Sequence, residues 1–413
     1  MNKVFRMFRI ILILFIAVPL LASAQWEYLE PMPTPREGLA VAELDGKIYA
    51  IGGKNRWGYY ALDVVEIYDI SADEWFTGPP LLNPRIYSAA AVHDGKIFVF
   101  GGREGFWLVD EVEMFDPQVG HWIEVCNMYS REGLSATTYG DSIIVLGGKS
   151  SMWNYSSCAN VFNPIALCWG DSLPSYPEPR AGHGAAVIGD SLFIVGGVGY
   201  WMLSDVSFYD GYQWQDGIDL PVELGNTGAA VIGNSIFAVG GNFDFQATNR
   251  AFQFCISNDN WIEIDTLNTA REYHGVIACN DKIYVIGGGE GDYFDRDYLS
   301  SMEVLDMTNC PVFSRENDSK AKSLSIASYP NPFSQYTEIN IDSPNEIINP
   351  LIIYNILGRE VMRWSEPDWR GGGQLSIIWN GSDNFGNPLP AGVYFLRLNT
   401  TDSDRIQKIT IIR

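Results

Sequence analysis

Five arginines stand at one phase of the chain. Arg36, Arg85, Arg131, Arg180 and Arg271 each lie sixteen residues before a Gly-Gly pair, and only the fifth of six such positions differs, with Leu224. A guanidinium presents a planar fork of donors that matches a carboxylate or sulfate, so a repeated arginine is a candidate anion contact. The same side chains have a structural use, pairing with backbone carbonyls or with the adjacent Glu37, Glu132 and Glu272, and the sequence leaves both open. The segments after the Gly-Gly pairs are aromatic: Trp57, Tyr59 and Tyr60; Phe106 and Trp107; Trp153 and Tyr155; Tyr200 and Trp201; Phe243 and Phe245; Tyr293, Phe294 and Tyr298. Such rings stack on the apolar CH faces of sugars, or fold inward as local packing. Candidate ligand contacts are therefore the five arginines with Trp57, Tyr60, Trp107, Trp153, Trp201, Phe245 and Tyr293. His183 and His274 share a phase three residues beyond their arginines and read best as buried, hydrogen-bonded rings. With His93 and His121 elsewhere they form a poor metal set, and the acidic stretch 290–297 lacks the spacing of a calcium loop. There is no Ser/His/Asp nucleophile arrangement and no phosphate-cradling loop, so no catalytic residue, cofactor or metal is assigned.

These groups need a scaffold that repeats. Gly-Gly pairs begin at Gly52, Gly101, Gly147, Gly196, Gly240 and Gly287, spaced by 49, 46, 49, 44 and 47 residues, which predicts six copies of one unit. Each pair closes an apolar run (KIYAIGG, KIFVFGG, SIIVLGG, SLFIVGG, SIFAVGG, KIYVIGG), and a turn dipeptide such as Asp45-Gly46 or Asn280-Asp281 precedes each run. That is a tight hairpin of buried strands. A third strand follows (VEIYD, VEMFD, ANVFN, VSFYD, FQFC, MEVLD), then a tryptophan: Trp75, Trp122, Trp169, Trp214 and Trp261. The sixth unit lacks its tryptophan, but Trp26 falls 49 residues before Trp75, in phase with the rest. The N-terminal segment is thus expected to complete the sixth sheet and close a ring, burying the sheet faces and protecting their edges. The arginines and the aromatic segments should then share one end of the hairpins, around a channel mouth.

At these residues the chain resembles the kelch family over residues 25–311. The resemblance implies an all-β architecture, a six-bladed β-propeller closed by an N-terminal strand. Blade five departs in its short Tyr209 to Trp214 interval and blade six in Leu305, where most blades have an aromatic. Kelch propellers include sugar-acid epimerases, so an enzyme using Arg271, Glu272 and His274 is the alternative to a binding module. Nothing supplies a Cys/Tyr copper cage like that of the kelch-containing galactose oxidases.

Composition narrows the partners. Asp plus Glu total 50 against 27 Lys plus Arg, a formal charge of −23, so nucleic acid is excluded as a partner and anionic membranes are disfavoured. Lys3, Arg6 and Arg9 precede the apolar run from Ile10 to Leu21, and Ala22-Ser23-Ala24 follows, so residues 1–24 read as a signal peptide. Its removal takes the charge to −26, and no later segment is apolar enough to span a bilayer. The six cysteines, Cys126, Cys158, Cys168, Cys255, Cys279 and Cys310, admit disulfides in an oxidising compartment or buried free thiols.

Residues 312–326 are polar and aperiodic and read as a linker. From 327 to 413, Pro and Gly clusters punctuate about seven short strands, the pattern of a small antiparallel sandwich. Tyr329-Pro330-Asn331-Pro332-Phe333, Leu357-Gly358-Arg359-Glu360, Trp379-Asn380-Gly381 with Asp383 and Gly386, and Pro390-Ala391-Gly392-Val393-Tyr394 resemble the type A C-terminal sorting domain of the type IX secretion system. That resemblance implies an immunoglobulin-like sandwich, the type IX machinery as a partner, and export through the periplasm to the medium or the outer cell surface. The expected product is a monomeric, secreted or surface-displayed propeller that binds a glycan or an extracellular protein.

Overall fold

The computed structural model describes residues 25–55, 61–256, 260–291, 296–308, 325–329, 333–343, 351–355, 359–364, 373–399 and 404–412. The segment read as a signal peptide lies outside them. The chain divides into two units, Met1–Phe313 and Ser314–Arg413.

Among the described residues the first unit contains six four-stranded antiparallel sheets. Blade one runs Ala40–Leu44, Lys47–Ile51, Val65–Asp69 and Glu74–Thr77, from the innermost strand outward. Blades two to five repeat that order, with inner strands Ala89–His93, Ser135–Tyr139, Gly184–Ile188 and Gly228–Ile232. Blade six has Gly275–Cys279, Lys282–Ile286 and Met302–Asp306 from its own repeat, and Trp26–Leu29 as its outer strand. Trp26 pairs with Leu305, so the ring closes as expected. The second strand of each blade is buried on both faces, as at Ile48, Ala50 and Ile51, which is why these runs are continuously apolar.

Two circles of hydrogen bonds hold neighbouring blades in register. In the inner circle the second glycine of each pair donates its N–H to the carbonyl at the next blade's arginine phase. Gly53 reaches Arg85 at 2.8 Å, Gly102 Arg131 at 2.8 Å, Gly148 Arg180 at 2.9 Å, Gly197 Leu224 at 2.8 Å and Gly241 Arg271 at 2.8 Å. Gly288 closes the circle on Arg36 at 2.9 Å. The first glycine must also be small: at Gly52, with φ 64°, a Cβ would stand 2.5 Å from the Arg85 carbonyl oxygen. In the outer circle each in-phase tryptophan donates its indole N–H to a carbonyl of the preceding blade. The pairs are Trp75 to Glu30 at 2.9 Å, Trp122 to Pro79 at 3.0 Å, Trp169 to Asn127 at 2.8 Å, Trp214 to Pro174 at 2.6 Å and Trp261 to Ile218 at 2.7 Å. Trp26 makes the sixth, to Asp265 at 2.9 Å.

The second unit packs a three-stranded sheet and a four-stranded sheet, seven strands in all among the described residues, around one core that includes Phe333, Ile353, Trp379, Tyr394 and Ile411. Its first strand, Ser325–Tyr329, begins inside the segment read as linker. The motif residues are turn hardware. Gly381 has φ 71° and packs against Phe333 and Ile411, and the Asp383 carboxylate accepts the Phe385 and Asn387 N–H groups at 2.9 and 2.8 Å. Residues 330–332 and Leu357-Gly358 of the motif lie outside the described set. No helix among the described residues is long and apolar enough to cross a membrane. Cys126, Cys158, Cys168 and Cys279 carry free thiols, two of them exposed, and Cys310 lies outside the described residues.

Candidate ligand site at the mouth of the ring

The arginines do not encircle the mouth with free guanidinium groups. Arg36, Arg85, Arg180 and Arg271 are completely buried and Arg131 nearly so. Each side chain turns along its own blade. Arg85 donates to the Gly101 and Glu111 carbonyls at 3.2 and 2.9 Å and pairs with Glu113; Arg180 donates to Gly196 and Asp205, both at 3.0 Å, and pairs with the Asp205 carboxylate. Arg271 reaches Gly287 and Ser301 at 3.0 Å and pairs with Glu303. Arg36 donates to Ala50 at 3.0 Å and meets Glu66 at 3.1 Å, while Arg131 binds Ser156 and Asn160 at 3.1 and 2.7 Å. Burial lowers the Arg36 guanidinium to about 10, against the pull of Glu66. The partner carboxylates also cap backbone donors: Glu113 accepts from Leu82 and Asn83, and Glu303 from Asn268 and Thr269. These arginines are internal staples. A ligand would have to dismantle a blade to reach them.

The mouth itself is built by the next positions. The residue after each arginine phase bridges the residue after each Gly-Gly pair: Glu37 with Lys54, Ile86 with Arg103, Glu132 with Lys149, Ala181 with Val198, Gly225 with Asn242, and Glu272 with Gly289. The arginine-phase turns and the aromatic loops therefore share one end of the ring, as expected. One residue further on, Gly38, Tyr87, Gly133, Gly182, Asn226 and Tyr273 all adopt positive φ, between 51° and 67°. Four backbone links join them around the throat: Gly38 N–H to Tyr273, Tyr87 to Gly38 and Gly133 to Tyr87, each at 2.8 Å, and Gly182 to Gly133 at 2.7 Å. The Tyr87 and Tyr273 rings meet at 4.8 Å over Gly38, where a Cβ would stand 2.9 Å from the Tyr87 ring. Two bulky residues held at positive φ are strained, which marks the throat as a place where geometry outweighs local preference.

Above this floor opens a cavity of about 420 Å³. Its wall has two characters. Over blades three and six it is ionic, with Glu132 and Lys149 on one and Glu272 and Arg296 on the other, and the ion pairs extend beyond the lining to Glu37, Lys54 and Arg103. Arg296 bridges Glu37, at 2.9 Å, and Glu272; Lys54 also meets Glu37, at 3.0 Å; Arg103 and Lys149 share Glu132 at 2.5 and 3.7 Å. Glu272 further accepts from Asn226 and Asn242 at 2.9 and 3.1 Å, and burial raises its carboxyl above the usual range. Over blades four and five the wall is uncharged: Ala181, Val198, Met202, Thr227, Asn242 and Phe245.

His183 and His274 also line the cavity and are buried, as expected. His183 Nε2 bonds the Ser135 hydroxyl at 2.8 Å, and His274 Nε2 bonds the Val239 carbonyl at 2.9 Å. Burial drives both rings down to about 3, so they are neutral at ordinary pH. Arg271, Glu272 and His274 do not converge on a common point: Arg271 faces Glu303, Glu272 is held by Arg296, and His274 faces blade five. Among the described residues no group of three His, Cys, Asp or Glu side chains is placed to hold a metal.

The loop aromatics do reach solvent. Trp107 is 81% exposed, Trp153 66%, Trp201 80% and Phe245 77%, with Phe106 and Tyr200 beside them. Phe245 lines the cavity, as does Tyr155, whose ring lies 6.1 Å from Tyr200. Trp57, Tyr60 and Tyr293 lie outside the described residues. Glu37, Glu132 and Glu272, read as possible partners of the adjacent arginines, instead hold Lys54, Arg103, Lys149 and Arg296, cations that a reading based on repeated identity misses. The available signal for Lys54, Arg103 and Lys149 is their shared phase, one residue past the glycines, whereas Arg296 lies outside it.

Comparison with known proteins agrees with this architecture. The model of the KLHDC2/KLHL20/DRC7 kelch-repeats domain matches residues 20–197 and 133–314, and that of the secretion system C-terminal sorting domain matches residues 327–412. Beta-scruin of Limulus polyphemus is 32% identical over 195 residues, 45% of this chain and 16% of that protein. Kelch-like protein 23 of Homo sapiens is 28% identical over 166 residues, 39% of this chain and 29% of that protein. Kelch-like protein terF of Aspergillus terreus is 26% identical over 227 residues, 49% of each. The chain thus spans less than half the length of these relatives. With six in-phase blades and a kelch match covering most of its length, the chain belongs to the kelch-repeat family and ends in a type IX secretion sorting domain that directs it to the cell surface or extracellular space.

Proposed function

We propose that this chain is a secreted or surface-displayed binding module whose propeller mouth takes an extracellular ligand, with a carbohydrate as the class the geometry favours. The observation that carries this reading is the exposure of Trp107, Trp153, Trp201 and Phe245 on the loops at the end of the ring where the cavity opens. Large rings held in water around one opening offer flat apolar faces for a partner to stack on. The cavity, about 420 Å³, falls in the range of about 300–1,000 Å³ typical of small-molecule sites, enough for one or two sugar rings. Export supports the reading, since an extracellular protein meets polysaccharides. The epimerase-like alternative draws no support from the placement of Arg271, Glu272 and His274.

The test is a glycan array probed with the purified full chain, alongside its Trp107→Ala and Trp201→Ala variants. Binding by the parent that falls at least about tenfold in the variants, with unchanged melting, supports the rim. A blank array removes the carbohydrate proposal.

A further inference from the structure

The mouth is an electrostatic exception in an acidic chain. Among the described residues three carboxylates, Glu37, Glu132 and Glu272, hold four cations, Lys54, Arg103, Lys149 and Arg296. Burial sorts the two signs. The Glu37 and Glu272 side chains are 1% exposed and that of Glu132 14%, whereas those of Arg103 and Lys149 are 31% and 32% exposed. The acids thus lie beneath and the ammonium and guanidinium groups of blades two and three face outward. Across the cavity, blades four and five present the uncharged wall of Val198, Met202 and Phe245. Beyond the mouth, exposed Glu104, Asp244 and Glu290 on the surrounding loops repel dense polyanions.

We propose that the mouth selects an acidic sugar: a glycan unit carrying an isolated carboxylate or sulfate, set toward Lys149 in the cavity wall and toward Arg103, which shares Glu132 with it just beyond the wall, with its ring against the uncharged wall of blades four and five. This rests on the carbohydrate reading above and sharpens it. The cations are the outward members of ion pairs, so an incoming carboxylate shares them with Glu132 and does not need to break a buried contact. A neutral sugar satisfies the uncharged wall and leaves the outward cations unused. An extended acidic peptide offers charge without a ring for that wall.

Ligand-observed NMR titration of the full chain with methyl glucuronoside, its uncharged methyl ester and N-acetylglutamate separates these cases. The glucuronoside is expected to bind about tenfold tighter than its ester, the equivalent of one charge-assisted contact. Arg103→Gln combined with Lys149→Gln should bring it to the ester's level, while Lys149→Arg, which keeps the charge, retains the preference. Equal binding of acid and ester, or no change in the double variant, overturns the acidic-sugar inference and leaves the carbohydrate reading standing. N-acetylglutamate binding as tightly as the glucuronoside overturns it in favour of an acidic peptide. Failure of both sugars together with a blank glycan array removes the carbohydrate reading as well.

Discussion

The buried arginine layer and the exposed loop mouth are built from the same six repeats, a few residues apart, and they obey opposite rules. In the arginine layer the blades agree: five guanidinium groups occupy one phase, and blade five, which has Leu224 there, places Phe252 at the third-strand position that holds Glu66, Glu113 and Glu303 in blades one, two and six. At the mouth the blades disagree: one position carries an acid in Glu37, Glu132 and Glu272 and an uncharged residue in Ile86, Ala181 and Gly225. Repetition within a ring answers a need that every blade has, which is to fix its hairpin against its neighbours. A ligand without sixfold symmetry touches each blade differently, so its contacts must lie where the blades diverge.

The comparison breaks first if the arginines are not structural. Removing one partner of a buried pair leaves an uncompensated charge, so Arg85→Ala should cost about 3–5 kcal/mol in urea unfolding of the full chain. A loss under about 1 kcal/mol would return the arginines to the ligand side. Trp26→Ala empties a core position and removes an interblade hydrogen bond in the closing strand; about 3 kcal/mol is expected. An unchanged unfolding curve would mean that the ring does not depend on its N-terminal strand.

The histidines sharpen the same contrast through pH. The folded state lowers both from the ordinary value near 6.5 to about 3, so the unfolded chain binds the extra protons between those limits. Their contribution to stability is present above about pH 6.5 and is lost as pH falls toward about 3, with a slope of about 1.4 kcal/mol per pH unit for each ring. His274→Gln should flatten that acid limb, and an identical slope in the variant would show the ring is not buried neutral. The smallest expected stability effect is at the rim, where Trp107→Ala should shift unfolding by no more than about 0.5 kcal/mol.

The six sheets and the in-phase closure at Trp26 were legible in the sequence because each rests on a local steric or packing need that repeats: glycines where a neighbouring carbonyl approaches, an indole where a neighbouring carbonyl waits. The fate of the arginines was not. A phase tells the height of a side chain on the ring but not whether it points along the blade or into the channel. The clue lay in a second phase, the acid early in the third strand at Glu66, Glu113 and Glu303, which carries meaning only once the strands are laid side by side. The ionic wall was harder still, since Arg296 and Glu37 are 259 residues apart and meet only because the ring closes.

Hydroxyl-radical footprinting of the full chain, with and without a bound carbohydrate, tests most directly that function resides where the blades differ. Protection should concentrate on Trp107, Trp153, Trp201 and Phe245, and leave Ile165 and Tyr212, exposed in the turns at the other end of their blades, unchanged. Protection of Ile165 and Tyr212 with the loop aromatics still reactive would contradict it.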